Sequence, residues 1–421
     1  MKVTQAYRFA LDPSPRAERA LASQVGARRF AFNWGLALVK ERLDARAKGE
    51  AVEVPWTLPA LRREWNCQKH TVAPWWRENS KEAYSSGLEG LANALKNWFD
   101  SKEGRRKGRK VGFPRFRKKG RCRESVCFTT GAIRVADKSH VVLPRVGRVR
   151  THEPTVALLG LIELGKARIL RATVSREGGR WFVSFTCEVE REPGRPRFPD
   201  AAVGVDVGLR RLAVLSTGEK VPNPQPLRKA LRRIARLSRE LARRQRGSRN
   251  REETRSRLAR AHALVARTRR DAMHKLTTRL ATTYGAVVVE ALNVAGMMRN
   301  RRLARAVTDA ALSELRRMLA YKCAWYGSRL VEADRFYPSS KTCSHCGAVK
   351  EDLPLRERTF RCDACGFVLD RDENAARNLA ALVAAVAGSG PETQNARGRD
   401  VRPAARRAVP EEAGSRRRAS A

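Results

Sequence analysis

The stretch FYPSSKTCSHCGAVKEDLPLRERTFRCDACGFVLDRDENAARNL, residues 336–379, contains two Cys-x-x-Cys pairs separated by 15 residues. The pairs are Cys343 with Cys346 and Cys362 with Cys365. Two such pairs can surround one tetrahedral zinc ion with four thiolates. Two disulfides or four unrelated cysteines would be the alternative, but this spacing is among the more specific sequence signals for zinc. Because four thiolates leave the ion no open position, the predicted zinc is structural and does no chemistry.

The composition indicates a polyanionic partner. The 421 residues include 87 Lys and Arg against 43 Asp and Glu, a formal net charge of +44 that is spread along the chain. Such a chain repels itself without an anionic partner, and a nucleic acid is the first candidate. No apolar run approaches the roughly 20 residues that cross a bilayer, and the N-terminus lacks the apolar core of a secretory signal, so no membrane partner is expected. Nine cysteines, five of them outside the zinc pattern, suit a reducing cytoplasm.

The first part of the chain predicts an antiparallel sheet interrupted by helices. Residues 1–15 alternate like one strand ended by a turn, and residues 122–192 contain short alternating strands between Gly- and Pro-rich turns. This pattern favours an antiparallel β-barrel. Residues 16–121 have mainly helical periodicity, with Asn79 and Glu82 spaced as a helix N-terminal capping pair. The helical part would then be an insertion in the barrel.

A basic, glycine-spaced segment closes this insertion. In residues 104–121, two phenylalanines and a proline lie among arginines and lysines. A run of charge is often only a solvated surface, but aromatic residues between the cations favour contact with a phosphate backbone. The residues predicted to bind nucleic acid are Arg115, Arg117, Lys118 and Lys119.

The second part of the chain predicts an α/β domain. Two apolar strands each carry one acid, Asp206 in VGVDVG and Glu290 in VVVE. Two long basic helices are expected between these strands, separated by a break at residues 247–250. A closing helix is predicted over residues 372–386, and the polar, compositionally biased residues 387–421 are predicted to be disordered.

Three acids are candidate metal ligands. A carboxylate in an apolar strand is costly unless it is paired, neutralised or bound to a metal, which applies to Asp206 and Glu290. In the last helix, Asp370 and Glu373 have capping-box spacing, so Asp370 is predicted to cap the helix. Asp372 is then the predicted ligand, with Asp370 as the alternative. Such oxygen ligands suit Mg²⁺, and paired ions about 3.5–4 Å apart could support phosphodiester cleavage.

The order of several motifs resembles the TnpB family of transposon-encoded, RNA-guided DNA nucleases, which are related to type V CRISPR effectors. The motifs extend from Tyr7 to about Leu382 and are YRFALDPSP, GFPRFRKKG, VGVDVGL, HKLTTRLA, VVVEALNV, SSKTCSHCG and RCDACGFVLDRDENAARN. Each alone would be weak, whereas their joint presence in this order is specific. The resemblance implies an α+β multidomain fold, in which an N-terminal β-barrel (wedge) domain with a helical recognition insertion precedes a RuvC domain of RNase H fold (α/β) that the zinc ribbon interrupts.

The implied domains are a wedge β-barrel at 1–15 and 122–192, a helical recognition domain at 16–121, a RuvC nuclease domain at 200–340 and 367–386, a zinc ribbon at 341–366 and the tail at 387–421. By the same resemblance, Asp206, Glu290 and Asp372 are the RuvC acids, and Asn374 and Asn378 belong to the closing motif of the family. The three acids would cut double-stranded target DNA after a guide RNA has paired with it and a short target-adjacent motif has been recognised. The implied cofactors are catalytic Mg²⁺ and structural Zn²⁺, and the implied location is the bacterial cytoplasm, at the nucleoid when DNA is bound.

Other functions are weighed against this one. A nuclease-inactive, RNA-guided DNA-binding regulator would have lost one of the RuvC acids, and here all three are present. A compact type V CRISPR effector shares the domain and differs in genomic neighbourhood. A single-strand transposase would need a His-hydrophobe-His pair, which the six histidines do not contain. The expected activity is therefore that of a metal-dependent endodeoxyribonuclease, with no oligomeric state predicted.

Overall fold

The computed structural model describes residues 1–129, 131–192, 194–354 and 356–388, with side chains up to residue 383. The strands are β1 (Lys2–Asp12), β2 (Ser125–Phe128), β3 (Arg134–Asp137), β4 (His140–Leu143), β5 (Gly147–Thr151), β6 (Ala167–Glu177), β7 (Arg180–Glu190), β8 (Phe198–Val207), β9 (Arg211–Leu215), β10 (Lys220–Pro222), β11 (Tyr284–Glu290), β12 (Arg329–Ala333), β13 (Thr359–Arg361) and β14 (Val368–Asp370). The α-helices are α1 (Pro15–Ala47), α2 (Leu58–Val72), α3 (Lys81–Lys102), α4 (Val156–Glu163), α5 (Pro226–Arg243), α6 (Arg249–Thr283), α7 (Val294–Arg299), α8 (Ala304–Ala310), α9 (Leu312–Tyr326) and α10 (Arg371–Gly388). Within this part of the chain, none of the helices combines the length and the apolarity that a membrane span requires.

One compact unit comprises Met1–Pro193 and Gln225–Asp271. Its sheet has the strand order β2-β6-β7-β1-β5-β4-β3, and all neighbouring strands are antiparallel, as predicted. The edge strands β2 and β3 do not pair with each other among the described residues, so the predicted closed barrel is not seen. Strand β5 was not predicted, because its sequence, GRVRT, contains a single apolar residue. Helix α4 was missed because its eight residues, VALLGLIE, are too uniformly apolar to show a helical period.

The helical part of this unit packs closely where small residues allow it. A Cβ atom on Gly87 of α3 would lie 2.3 Å from the carbonyl oxygen of Arg28 on α1, so only glycine fits there. The predicted capping residue of α3 was wrong by one position, since the Oγ of Ser80 accepts the N–H of Glu82 at 3.3 Å. The carboxylate of Glu82 does not cap the helix, because it accepts the N–H and the hydroxyl of Thr129.

The second unit comprises Gly194–Pro224 and the described residues from 272 onward. Its main sheet has the order β10-β9-β8-β11-β12, with β11 parallel to both β8 and β12 and the other pairs antiparallel. Strands β8 and β11 are central and covered on both faces, which explains their continuous apolar runs. Val287 and Val289 pack in one core with α9, and Val288 packs on the other face with Leu379 of α10.

Helix α10 lies directly against β8. A Cβ atom on Gly204 of β8 would lie 1.8 Å from the carbonyl oxygen of Ala376, so a larger residue would push the helix away. The sequence predicts Ala375, Ala376 and Leu379 on the packed side of this helix, and all three are buried. The helix continues to Gly388, two residues beyond its predicted end, and the rest of the predicted tail lies outside the described residues.

Two features of the helices differ from the expected organisation. Helical periodicity predicts a single helix from about Thr308 to Tyr326, whereas the structure has α8 and α9 there, divided at Ala311, which has a left-handed φ of 48°. Helix α5 and residues 249–271 of α6 belong to the first compact unit, whereas the resemblance groups them with the domain at 200–340. The predicted break between the two basic helices is confirmed, since α5 ends at Arg243 and α6 begins at Arg249.

Candidate metal centres

The four cysteines predicted to bind zinc converge. Their sulfur atoms all lie within 4.8 Å of one another, with 3.8 Å between those of Cys343 and Cys365 and 3.6 Å between those of Cys346 and Cys362. Zn–S bonds of ~2.3 Å in a tetrahedron place the sulfurs ~3.8 Å apart, whereas a disulfide requires ~2.05 Å. All nine cysteines are free thiols. The cluster therefore has the donor set and the spacing of a four-thiolate zinc site, and the disulfide alternative is excluded.

Both Cys-x-x-Cys pairs are held by the same backbone turn. In the first, the N–H of Cys343 donates to the carbonyl oxygen of Ala348 at 2.8 Å, and the N–H of Gly347 donates to that of Cys343 at 2.9 Å. The second pair repeats both hydrogen bonds at Cys362. Gly347 and Gly366 have φ values of +79° and +72°, which glycine adopts without strain. The same local backbone bonds therefore give the two turns the same conformation.

Asp206 and Glu290 lie at the ends of neighbouring parallel strands. The pairing of β8 with β11 places Val205 opposite Val289, and the next residues in the same register are Asp206 and Glu290. Neighbouring strands are about 4.8 Å apart, and side chains opposite each other project from the same face of a sheet. The structure thus brings together two acids that are 84 positions apart in the sequence.

Helix α10 begins with the remaining acids. Asp370 Oδ1 accepts the N–H groups of Asp372 at 3.0 Å and Glu373 at 3.3 Å, which confirms Asp370 as the N-cap. Asp370 Oδ2 also accepts a hydrogen bond from Lys220 Nζ at 2.6 Å. The carboxylate of Asp372 has a longer ion pair, 3.8 Å from Arg358. Asp370 is therefore occupied by structural contacts, and Asp372 is the freer of the two.

The acids form one electrostatic cluster around Asp206. Burial raises the pKa of Asp206 to about 8, together with the negative charges of Glu290 and Asp372. Arg371 lowers this pKa and Asp370 raises it, both by smaller amounts. Three carboxylates that repel one another in a partly buried site are stabilised when a cation joins them. Oxygen donors of this kind suit Mg²⁺ or Mn²⁺ and not a thiophilic metal.

The spacing of the three carboxylates limits how a cation could be shared. Among the described residues, only the four cysteines have all their ligand atoms within 4.8 Å of one another, so the oxygens of Asp206, Glu290 and Asp372 are spread more widely. Ligands of a single Mg²⁺ at 2.0–2.1 Å can be at most about 4.2 Å apart. Two ions about 3.5–4 Å apart accommodate a wider set of ligands. The three carboxylates offer the oxygen donors that magnesium prefers.

Sequence reasoning missed the hydrogen-bond partner of Glu290. Ser339, which lies between β12 and the first Cys-x-x-Cys pair, donates its hydroxyl to Glu290 Oε1. Its exposed fraction is 3%. Lys220, which binds the capping Asp370, was missed as well. The only sequence signal for Ser339 is its place in SSKTC, directly before the cysteines.

The residues predicted to bind nucleic acid differ in their exposure to solvent. The exposed ones are Arg115, Lys118 and Lys119. Arg117 is anchored, because its backbone N–H and carbonyl oxygen bond to the side chain of Asn33 at 2.8 and 2.9 Å, and its guanidinium lies 3.6 Å from the ring centre of Phe32. Burial lowers the pKa of Arg117 to about 10, with a smaller effect of Arg28. Arg117 therefore holds the basic segment on α1, while the other three cations face solvent.

An arginine-lined cavity in the first unit was not predicted. It has a volume of about 490 Å³, lies between the β6–β7 turn and helices α5 and α6, and contains no carboxylate in its lining. This cavity, the arginine cavity, is lined by Arg176, Arg180, Arg233, Arg260 and Arg267. Only the first of them has an ion-pair partner in the described part of the chain. Convergent, unpaired cations favour an anionic ligand.

Comparison with known proteins shows the family to which this chain belongs. A Mycobacterium tuberculosis (strain H37Rv) protein named "Putative RNA-guided DNA endonuclease Rv2885c" is 46% identical over 397 residues, which are 89% of this chain and 86% of the relative. The chain belongs to the TnpB family. Another relative, "Putative RNA-guided DNA endonuclease InsQ" of Escherichia coli (strain K12), is 30% identical over 414 residues, 94% of this chain and 96% of the relative.

Three family models match parts of this TnpB chain. One described as "Probable transposase" matches residues 184–301, one described as "Cas12f1-like, TNB domain" matches 313–379, and one described as "Helix-turn-helix domain" matches 1–48. The last region is here a strand followed by the single helix α1. Among solved structures, the cryo-EM structure of a Cas12f1–sgRNA–target DNA complex covers 90% of this chain and 99% of that chain, with 14% identity and a TM-score of 0.49.

Proposed function

We propose that this TnpB-family chain is an RNA-guided DNA endonuclease that hydrolyses target DNA in a metal-dependent RuvC site. The observation that carries the proposal is the register of β8 and β11, which places Asp206 beside Glu290, with Asp372 close enough to raise the pKa of Asp206. The 46% identity to a relative named as such an endonuclease supports it. The presence of all three acids favours an active nuclease over a nuclease-inactive regulator.

The sheet of the second unit supports an RNase H-like assignment. Three antiparallel strands are followed by two parallel ones, and α10 packs on the central strand β8. The domains that we propose are the RuvC domain at 200–340 and 367–386, the zinc ribbon at 341–366, the wedge at 1–15 and 122–192 and the recognition domain at 16–121.

The proposed mechanism gives each residue of the site a distinct part. Asp206, Glu290 and Asp372 would hold Mg²⁺, which when bound lowers the pKa of a water nucleophile and stabilises charge on the phosphate. Ser339 orients the carboxylate of Glu290 through its hydroxyl. Asp370 caps α10 and is neutralised by Lys220, so it fixes the start of the helix that carries Asp372.

The four thiolates would hold one zinc ion with no position left for water or substrate. Zinc would join the two Cys-x-x-Cys turns, whose own core is small and includes Leu353 and Phe360. Too little apolar surface is buried there to hold the ribbon by itself, since small modules generally need a metal or a disulfide. We therefore assign the zinc a structural role between β12 and α10.

The proposed partners are a guide RNA and double-stranded target DNA in the bacterial cytoplasm. Protein purified from cells that carry its gene with the flanking DNA should contain RNA transcribed next to that gene. The physical reason is the net charge of +44, which requires a polyanion in the complex. Sequencing of the co-purified RNA checks this, and RNA drawn evenly from the whole transcriptome would contradict guidance.

The arginine cavity should contribute to RNA binding. Changing Arg233, Arg260 and Arg267 together to Gln should weaken the binding of that RNA and lower the slope of log K against log salt concentration by about 2, since each phosphate contact contributes roughly 0.7 to 0.9. A filter-binding titration at several salt concentrations measures both effects. The matched control removes three paired arginines outside the basic segment, Arg42, Arg148 and Arg316, whose partners are acids. Equal slopes for the two triple variants would contradict a specific role of the cavity.

A further inference from the structure

The segment before the zinc cluster contacts two of the proposed metal-binding elements at once. Ser339 donates its hydroxyl to Glu290 Oε1 at the end of β11. The carbonyl oxygen of the same residue accepts the side-chain N–H of Asn378 on α10 at 2.7 Å. Ser339 and Asn378 have exposed fractions of 3% and 4%. One buried serine is therefore bonded both to an acid and to the helix that carries another acid, Asp372.

The contacts continue from Asn378 to the first Cys-x-x-Cys turn. Asn378 Nδ2 also donates to the carbonyl oxygen of Thr342 at 2.6 Å, and Asn374 Nδ2 donates to the same oxygen at 2.7 Å. Asn374 Oδ1 accepts the N–H of Ser344 at 2.9 Å. Thr342 and Ser344 flank Cys343, the first of the four thiolates. The two asparagines are one helical turn apart, so they hold this segment along one face of α10.

The hydrogen bond to Glu290 restricts a flexible side chain. A glutamate side chain loses rotamer freedom when it is fixed in one conformation, and a hydrogen bond to a charged carboxylate is among the stronger ones that can offset this loss. The serine hydroxyl therefore favours the rotamer of Glu290 that the structure shows. Because the bond uses Oε1, the other carboxylate oxygen stays available for a cation.

We propose that Ser339 is a positioning residue for Glu290, and that Asn378 and Asn374 couple its position to the zinc cluster. This inference rests on the proposed magnesium site of Asp206, Glu290 and Asp372. Loss of zinc would release the segment at 339–344 from α10 and leave Glu290 free to change rotamer. The zinc ribbon would then act on the nuclease site through these hydrogen bonds.

The test is the Ser339→Ala variant, with direct metal binding as the main measurement. Mn²⁺ would be titrated against the guide-loaded protein without DNA and detected by electron paramagnetic resonance. We expect a 10–100-fold weaker affinity for Mn²⁺, the range found when the hydrogen-bond partner of a metal ligand is removed. In cleavage assays, the Mg²⁺ concentration for half-maximal rate should rise, and the rate at saturating Mg²⁺ should fall less. Ser339→Thr keeps the hydroxyl and should restore at least part of the affinity.

The matched control is Ser340→Ala, the same change at the next position, which has no side-chain hydrogen bond of its own to Glu290. Zinc content and thermal stability of both variants show whether the ribbon is still folded. Wild-type Mn²⁺ affinity in Ser339→Ala would overturn the inference. If Asp206→Asn also leaves Mn²⁺ affinity and cleavage unchanged, the proposed function itself fails, so the two failures are distinguishable.

A double-mutant cycle tests the coupling through Asn378. If Asn378 acts by holding Ser339, then Asn378→Ala should weaken Mn²⁺ binding in the wild-type background and have little further effect in Ser339→Ala. Additive losses would mean that the two residues act independently, which would overturn the proposed path. The cycle compares the Mn²⁺ affinities of variants that are folded and have a normal zinc content. A lower thermal stability of a variant therefore does not change its outcome.

Discussion

The Asp206→Asn variant should bind its guide RNA and target DNA as the wild type does and should fail to cut the DNA. Asparagine keeps the shape of the side chain but removes the negative charge at the centre of the acid cluster. A metal-stabilised transition state loses several kcal/mol without its central ligand, which corresponds to a cleavage rate reduced by roughly 10³-fold or more. Single-turnover cleavage with saturating guide-loaded protein measures this directly, and a gel-shift titration measures binding.

Stability gives a second measurement on the same variant. The folded-state pKa of Asp206, raised to about 8, exceeds the ordinary value of ~3.9 for an unfolded chain. Without added divalent cations, the wild type should therefore lose stability as the pH rises from about 4 to about 8, because over this range the unfolded state releases the proton that the folded state still holds. The variant lacks this loss and should melt at a higher temperature than the wild type near pH 8. Asp200→Asn, an exposed position on the same strand β8, is the control; undiminished cleavage by Asp206→Asn would remove the proposed site.

The double variant Cys343→Ser, Cys362→Ser should lose its zinc and unfold the ribbon. Each substitution removes a thiolate from a different Cys-x-x-Cys pair, so neither pair can bind the ion normally. Zinc binding of this kind contributes roughly 10–16 kcal/mol to the folding of isolated zinc modules, far more than the small apolar core of the ribbon can replace. Metal analysis should fall from one zinc per chain to almost none, and limited proteolysis should cut within residues 341–370.

The control for this variant is Cys67→Ser with Cys122→Ser, two thiols outside the cluster that are not fully buried. It should keep its zinc and its resistance to protease. An unchanged zinc content in the Cys343, Cys362 double variant would refute the four-thiolate site. DNA cleavage should be lost as well, since α10 with Asp372 follows the ribbon directly.

Patterns within short stretches of sequence predicted individual strands, but they did not predict how distant strands pair. The apolar run before Glu290 was predicted as a strand because buried parallel strands are continuously apolar. Closure of the N-terminal sheet was not predictable, because it depends on pairing between β2 and β3, which no periodicity within either strand encodes. The break at Ala311 had no signal either, since an alanine takes the left-handed conformation there without a glycine or proline.

The sequence predicted those site residues that stand out from the residues around them. Asp206 and Glu290 stand out because each is an acid in an apolar strand, and Asp370 because Asp-x-x-Glu is a capping pattern. The second half of that pattern does not form, since Glu373 is bonded to Arg377. Ser339 could not be found in this way, because its partner Glu290 is 49 residues away in the sequence. A serine is also common in loops and therefore gives no signal of its own.

The order of the elements along the chain bears on synthesis. Asp372 follows Glu290 by 82 residues, and at 5–20 residues per second a ribosome needs about 4–16 s to add them. During that interval the nascent chain has two of its acids and neither the last helix nor the complete ribbon. An enzyme that cuts DNA would thus acquire its third carboxylate well after the other two, when the basic helices α5 and α6 have already been synthesised.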